Sequence, residues 1–170
     1  MARIKLDLPQ TFLFSYSTRV RVTDINYGNH LGNDSLLGLL HDARVAFFLA
    51  NGYSELDMEG RGIIMADVAI QYKGEAFLHE DIQIDLALDD FNKYGFDIFY
   101  KVTVPADGRL VATAKTGIVC FDYEQRQLAT LPDAEQWRGL QSIILVESER
   151  DVDGTVSRER RYFISSRPPE

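Results

Sequence analysis

Only one segment of this 170-residue chain repeats its apolar residues with the period of a helix, and the other regular segments alternate as strands do. The helical segment begins near Asn33, and its repeat is carried by Leu36, Leu40, Ala43, Phe47 and Ala50. Leucine, valine and phenylalanine also occupy its other faces, so we expect this helix to be buried nearly all round. Asn51-Gly52 is typical of a helix end.

Five alternating segments accompany the helix, one before it and four after it. The first runs from about Thr11 to Thr23, and the later four lie at 64–72, 82–88, 96–104 and 110–121. Pro105–Gly108 is typical of a turn. Long alternating strands joined by short turns predict an antiparallel sheet, and one helix on one face of it gives an α+β domain.

Charge and composition exclude several classes of protein. The net charge is −8, from 18 basic and 26 acidic residues, which argues against a broad basic surface for nucleic acid. The excess lies in residues 51–100, which hold 3 basic and 11 acidic residues. Cys120 is the one cysteine, so an internal disulfide or a cysteine-based zinc site is excluded, and we expect a small core residue there. Without a membrane-length apolar run or a signal peptide, we expect a soluble cytoplasmic protein that binds no membrane.

The segment between the first strand and the helix carries the most distinctive motif. Residues 22–33 read VTDINYGNHLGN, dense in residues that favour turns. The run resembles the D-x-D-x-x-G-H-V-x-N signature of 4-hydroxybenzoyl-CoA-thioesterase-like proteins. These proteins have the hotdog fold, in which a curved antiparallel sheet wraps around one long central helix. Later matches follow in the family's order at Ala43-Arg44, Glu80–Ile84 and Phe121–Pro132, so the resemblance covers about residues 12–132.

The resemblance implies a thioesterase that hydrolyses acyl-CoA to the free acid and CoA, without metal or cofactor, as a homodimer or a dimer of dimers. Asn26 stands where this family usually has its catalytic Asp, and an amide cannot act as a base. A second register fits the D-x-N-x-H pattern of acyl-carrier-protein thioesterases, with a two-residue insertion before His30. It assigns catalysis to Asp24 as base or nucleophile, with Asn26 and His30 positioning the thioester.

The start of the helix is the expected oxyanion site, because the backbone N–H groups of roughly residues 31–34 are free there and the positive end of the helix dipole lies there. Leu31, Asn33 and Asp34 are therefore predicted to contact the substrate. Asp34 has a simpler interpretation as the residue that caps the helix, and Asn33 can also do so. Asp24 has one as a turn residue, and His30 has one as a loop residue bonded to backbone.

Asp42, with His41 beside it, is the rival catalytic carboxylate, because some hotdog thioesterases place their acid on the central helix. The plainer interpretation of the two is a buried polar pair with its hydrogen bonds satisfied. Arg44 is expected to be a paired structural arginine, and Gly38 is expected to let a strand pass close to the helix. Candidates for the phosphates of CoA are Lys73, Lys93, Arg109 and Lys115.

Two other functions stay open. A hotdog hydratase or dehydratase would also act on a CoA ester, although its usual H-D-G-like order is not found. A non-catalytic acyl-CoA-binding module would explain Asn26 at the usual catalytic position.

After Pro132 the character of the chain changes. Residues 135–167 resemble a segment of DDE-type insertion-sequence transposases that carries a W-P-G-L run and an R-Y-Y-I-S-S run, with Arg138 in place of the usual proline. We therefore expect a hotdog domain at 1–132 and an appendage at 133–170, too short for transposase chemistry. Residues 143–146 and 162–164 are predicted to form two strands, with a turn at 151–154.

Overall fold

The computed structural model describes residues 4–132, together with the backbone strands at 142–152 and 155–165. One α-helix, α1, spans Asn33–Ala50. The strands are β1 (Phe14–Arg19), β2 (Gly62–Tyr72), β3 (Asp81–Asp89), β4 (Gly95–Val104), β5 (Arg109–Asp122), β6 (Gln127–Leu128), β7 (Ser142–Val152) and β8 (Thr155–Ser165). The first six form one sheet in the order β1-β3-β4-β5-β2, with β6 on β5. All its pairs are antiparallel, which confirms the predicted architecture.

The core lies between one face of the sheet and α1. Alternate residues of β4, including Phe96, Ile98 and Tyr100, are at most 1% exposed and belong to the same buried cluster as Leu36 and Leu40 of the helix. The sequence predicts this packing, because the apolar residues recur every two positions in the strand and every 3.6 positions in the helix. Each element buries the side that its apolar residues define. The Tyr100 hydroxyl is satisfied inside the core by Thr116 Oγ1, 3.0 Å away.

The expectation that α1 is buried on all sides is wrong. The sheet covers one side of the helix, and the other side presents Gly38, His41, Asp42 and Leu49 to solvent. His41 and Asp42 are therefore not a buried pair, which corrects the plainer interpretation of these two residues. Leu49 is 63% exposed, so the outer side of the helix carries uncovered apolar surface.

Gly38 also lies on the exposed side of α1. A Cβ placed on Gly38 would meet nothing within 4 Å, so the prediction that a strand passes close to it is wrong. Because glycine in an exposed helix interior costs conformational entropy, Gly38→Ala is expected to raise the free energy of unfolding by about 0.5–1 kcal/mol. Urea denaturation of the two proteins measures this difference, and a destabilised variant would mean that something covers Gly38.

The junction before the helix differs from the predicted long strand. β1 ends at Arg19, and Val22–Asp24 form a short 3-10 helix. Gly32, not Asn33 or Asp34, is the N-cap residue, so the capping prediction for those two residues is wrong and both lie within the first turn. The other end of α1 is as predicted, with Asn51 as C-cap and Gly52 at φ +79°.

The last two strands form a separate antiparallel hairpin. Ser142 pairs with Ser165 at one end and Val152 with Thr155 at the other, so the two predicted strands exist and are longer than predicted. Residues 135–141 and the predicted turn residues 153–154 lie outside the described part. The division into domains at residue 132 stays a prediction. In the described part of the chain, no helix has both the length and the apolar character to cross a membrane.

Candidate functional site

The turn between β1 and α1 is built by short-range hydrogen bonds. The backbone N–H of Asn26 donates to the backbone carbonyl of His30, 2.9 Å away. The backbone N–H of Asn29 donates to the backbone carbonyl of Asn26, 3.1 Å away. Asn29 adopts φ +63°, a left-handed conformation that asparagine tolerates better than most residues. The local turn residues thus return the chain to the start of the helix.

Asp24 lies at the base of this turn and is 5% exposed. Its Oδ2 accepts the backbone N–H of Arg21 at 2.8 Å and Arg21 Nε at 3.0 Å, while its Oδ1 accepts Arg21 Nη2 at 3.1 Å. Its own carbonyl accepts the Gly32 N–H at 2.8 Å. Both carboxylate oxygens are therefore engaged in holding the turn against the helix start.

These contacts predict how acid affects the fold. Burial raises the pKa of Asp24, but the side-chain and backbone hydrogen bonds from Arg21 outweigh it, and the net pKa lies below the ordinary aspartate value. A lowered pKa stabilises the fold above the unfolded-state pKa, and this contribution is lost as pH falls through the folded-state pKa. The stability difference between wild type and Asp24→Asn should therefore shrink below about pH 4, as measured by urea titrations across pH.

The turn brings the side chains of Asn26 and His30 together. The Asn26 side-chain oxygen accepts the Gly28 N–H at 2.8 Å, which turns its Nδ2 toward His30 Nδ1, 3.3 Å away. The other neighbour of Nδ1 is the Leu31 carbonyl oxygen at 3.2 Å. Nδ1 thus has a donor on one side and an acceptor on the other, so the ring can hold its proton on either nitrogen. Nε2 is left able to donate or to accept.

The helix start supplies fewer free amides than expected. The Leu31 N–H donates to the Ala76 carbonyl and the Gly32 N–H to the Asp24 carbonyl, each at 2.8 Å. The first three helical residues, Asn33 to Ser35, have no intrahelical acceptor for their N–H groups, and Gly32 provides no side-chain cap. The potential oxyanion donors are therefore at residues 33–35 rather than 31–34.

A small pocket of about 130 Å³ opens at this helix start. Its walls come from the turn, the first turn of α1, the end of β2 and the loop that follows, and β5. They comprise His30, Leu31, Gly32, Asn33, Leu36, Tyr72, Gly74, Glu75, Ala76 and Val111. Two of the predicted substrate contacts, Leu31 and Asn33, line the pocket, whereas Asp34 and Asp24 do not. The Tyr72 hydroxyl donates to the Asn33 carbonyl at 3.3 Å and closes one side.

Glu75 is a carboxylate in the pocket wall that the sequence motifs do not indicate. Its Oε1 lies 3.8 Å from His30 Nε2, and its side chain is 60% exposed. The loop after β2 reaches His30 because the Ala76 carbonyl accepts the Leu31 N–H. No local spacing signals this contact, since it depends on how β2 returns to the helix start.

The rival residues lie elsewhere. His41 and Asp42 are exposed on the outer side of α1 and do not line the pocket. His41 Nε2 is 3.1 Å from Glu55 Oε2, and Arg44 Nε donates to Glu55 Oε1 at 2.6 Å. Arg44 is 7% exposed, so its prediction as a paired structural arginine is confirmed.

Cys120 is fully buried, as predicted, and burial raises the pKa of its thiol to about 11. A thiol in that state is a poor nucleophile at neutral pH.

The four candidate ligands for the CoA phosphates differ in whether a carboxylate already pairs with them. Lys115 is held by Asp67 and Asp97, and Arg109 by Glu80, so these two cations are engaged. Lys93 lies over the Tyr94 ring at 5.1 Å. Lys73 is exposed between the pocket residues Tyr72 and Gly74, and among the described residues no carboxylate lies within ion-pair distance of it.

Comparison with known proteins identifies the family of this chain. The profile of the Thioesterase-like superfamily matches residues 20–140, which is more than half of the chain and includes the turn, α1 and the pocket. The chain belongs to the Thioesterase-like superfamily. No curated protein matches it. The transposase resemblance of residues 135–167 stays a prediction.

Solved structures show the same fold for this member of the superfamily. A 1,4-dihydroxy-2-naphthoyl-CoA thioesterase from Synechocystis is 19% identical with a TM-score of 0.65, over 72% of this chain and 92% of that one. A DHNA-CoA thioesterase from Staphylococcus aureus is 17% identical with a TM-score of 0.64, over 71% and 81%. A putative thioesterase from Pseudomonas aeruginosa is 16% identical with a TM-score of 0.66, over 74% and 97%. These matches confirm the predicted hotdog thioesterase fold.

Proposed function

We propose that this protein hydrolyses acyl-CoA to the free acid and CoA in the pocket at the start of α1. The observation that carries the proposal is the meeting of three groups there: the Glu75 carboxylate, the His30 imidazole and the first turn of a helix. A base, a proton carrier and an oxyanion site are what hydrolysis of a thioester needs. The apolar walls, such as Leu31, Leu36 and Val111, suit an apolar acyl group.

The reaction follows from these positions. Glu75 accepts a proton from water as the water oxygen attacks the thioester carbon. The carbonyl oxygen gains negative charge beside the free N–H groups at the start of α1, where Asn33 lines the pocket. The tetrahedral intermediate collapses as its C–S bond breaks. Glu75 passes its proton to His30 Nε2, and the ring, which keeps its other proton on Nδ1 toward the Leu31 carbonyl, gives the Nε2 proton to the departing thiolate. Asn26 holds this residue in place, because its backbone N–H donates to the His30 carbonyl. Glu75 is then a carboxylate and the ring is neutral, so the site is restored with acid and CoA as products.

Asp24, the carboxylate that the sequence motif favours, is retained as the rival base. Its two oxygens already accept bonds from Arg21, and it would have to release them to take a proton from water. Glu75 has no such competing bonds among the described residues and lines the pocket directly. We therefore assign proton abstraction to Glu75 and the ordering of the turn to Asp24.

We assign the first contact with the phosphates of CoA to Lys73, because it lies beside the pocket and no carboxylate of the described residues is within ion-pair distance of it. Lys73→Ala is expected to raise KM for an acyl-CoA about fivefold, the equivalent of one charge-assisted contact at an exposed position. An acyl-N-acetylcysteamine thioester, which lacks phosphates, should show no change. Lys93→Ala is the matched control, since Lys93 is exposed and lies away from the pocket, and equal effects of both variants would contradict the assignment.

A homodimer fits the exposed surfaces. β2 is an edge strand in the described sheet and presents Met65, Val68 and Tyr72, each at least 40% exposed. An uncovered apolar edge favours pairing with a second copy, which would make two sheets continuous. A dimer of dimers is the alternative, and sedimentation velocity separates both assemblies from a monomer.

The activity itself is tested with a panel of saturated and unsaturated acyl-CoAs and a thiol-detecting reagent. Release of CoA from the saturated esters supports hydrolysis. Water addition to the unsaturated esters without thiol release would instead indicate the hydratase. Binding without turnover would indicate the non-catalytic module. An acyl-carrier-protein thioester in the same panel distinguishes the two donors.

A further inference from the structure

The loop between β2 and β3, residues 73–80, forms one wall of the pocket and carries Glu75. Its first part is tied to β5, because the Lys73 and Gly74 N–H groups both donate to the Val111 carbonyl, at 2.8 and 3.0 Å. Its middle is tied to the helix start by the bond from Leu31 N–H to the Ala76 carbonyl. The position of Glu75 therefore depends on the loop as a whole.

The last part of this loop is held by a group that we call the Arg109 clasp, made of Arg109, Glu80 and Phe77. Arg109 Nη2 lies 2.6 Å from Glu80 Oε1, and the guanidinium stands over the Phe77 ring at 5.5 Å. Glu80 Oε2 accepts the Phe77 N–H at 2.8 Å, and the Glu80 N–H donates to the Phe77 carbonyl at 3.1 Å. One arginine thus contacts both ends of the turn that closes the loop.

Arg109 itself does not line the pocket. Its Nε is buried and has no hydrogen-bond partner within the described part of the chain, a cost that its other contacts must offset. Those contacts go to the loop and to Asp107, its neighbour in the preceding turn. The side chain is therefore placed to fix the loop rather than to bind a substrate.

We propose that Arg109 is a positioning residue for thioester hydrolysis, which holds Glu75 within reach of His30 by clamping the loop 73–80 through Glu80 and Phe77. The inference rests on the proposed function. A fork of N–H donors that also stacks on an aromatic ring suits arginine and cannot be reproduced by lysine. A displacement of the base by about 1 Å can cost up to about a hundredfold in rate.

The test compares Arg109→Met with Arg19→Met. Arg19 makes a bidentate pair with Asp81, the residue next to Glu80, at 2.7 and 3.0 Å. Its side chain makes no hydrogen bond or ion pair with residues 73–80 in the described part of the chain, so Arg19 serves as the matched control. We expect Arg109→Met to lower kcat by about 10- to 100-fold with little change in KM, and Arg19→Met to stay within about twofold of wild type. Arg109→Lys, which disturbs packing less, should lie between wild type and Arg109→Met.

A double-mutant cycle with Glu75→Gln separates positioning from general damage. If Arg109 acts through Glu75, Arg109→Met should lower the residual kcat of Glu75→Gln by less than about twofold. An equal loss in both backgrounds would overturn the inference, as would equal kcat values for Arg109→Met and Arg19→Met.

Amide hydrogen exchange at Leu31 gives a readout that needs no activity, because this N–H bonds to the loop at Ala76. We expect exchange at Leu31 to accelerate by about tenfold or more in Arg109→Met and not in Arg19→Met. If the wild-type protein hydrolyses no thioester, the proposed function fails while this measurement still decides whether Arg109 holds the loop. Unchanged exchange at Leu31 would show that it does not.

Discussion

Glu75→Gln should lower kcat for acyl-CoA hydrolysis by about 10²- to 10⁴-fold, the range typical of removing a positioned general base. The substitution keeps the size of the side chain and removes its ability to accept a proton from water. The Glu75 side chain is 60% exposed and has no buried partner among the described residues, so the free energy of unfolding should change little. Steady-state kinetics with the best acyl-CoA of the panel, together with urea denaturation, measure both quantities.

Three further substitutions, each of which neutralises one carboxylate, are compared with Glu75→Gln. Glu124→Gln, at an exposed turn after β5, is the matched control and should leave kcat unchanged. Asp24→Asn should destabilise the fold because it weakens the bonds from Arg21, and at temperatures where it is folded it should retain much more activity than Glu75→Gln. Asp42→Asn lies outside the pocket and should retain activity. Loss confined to Asp24→Asn or to Asp42→Asn would assign the base to that residue instead.

The architecture was predictable because it depends on the period of the apolar residues, which can be read within each segment of the sequence. Alternation in β4 and the 3.6-residue repeat of α1 each define a buried side, and the sheet and helix simply join those sides. The exposed side of α1 was not predictable in this way. Leu49 on the exposed side is as apolar as Leu36 and Leu40 on the buried side, and the extent of the sheet determines which of them is covered.

In the candidate site, too, contacts between residues close in sequence were predictable, and contacts between distant segments were not. Contacts within the turn, such as Asn26 with His30 and Arg21 with Asp24, join residues three or four positions apart, so the motif could indicate them. The engagement of Asp24 by Arg21 follows from that spacing, although its consequence for catalysis needs the bond geometry. Glu75 reaches His30 only through the return of β2 to the helix start, and no short-range pattern encodes that meeting.

The second large effect is expected from Gly32→Ala, which tests the helix start without removing any side chain. Gly32 lines the pocket, and a Cβ there would lie 2.8 Å from Asp34 Oδ1, 3.3 Å from Ser35 Oγ and 3.4 Å from the Asp24 carbonyl oxygen. Two of these neighbours are side-chain ends that can rotate, and the φ of −69° at Gly32 suits alanine, so the fold should survive. The methyl group would then stand over the first helical turn.

If the amides of residues 33–35 stabilise the oxyanion, Gly32→Ala should lower kcat/KM by about 10²-fold, comparable to the loss of one oxyanion-hole donor. Gly38→Ala is the matched control, since it makes the same substitution on the same helix at a position with open space around the Cβ. Measured side by side, Gly38→Ala should keep wild-type kinetics while Gly32→Ala loses activity at an almost unchanged urea midpoint. Full activity in a folded Gly32→Ala protein would mean that the thioester carbonyl is polarised somewhere other than the start of α1.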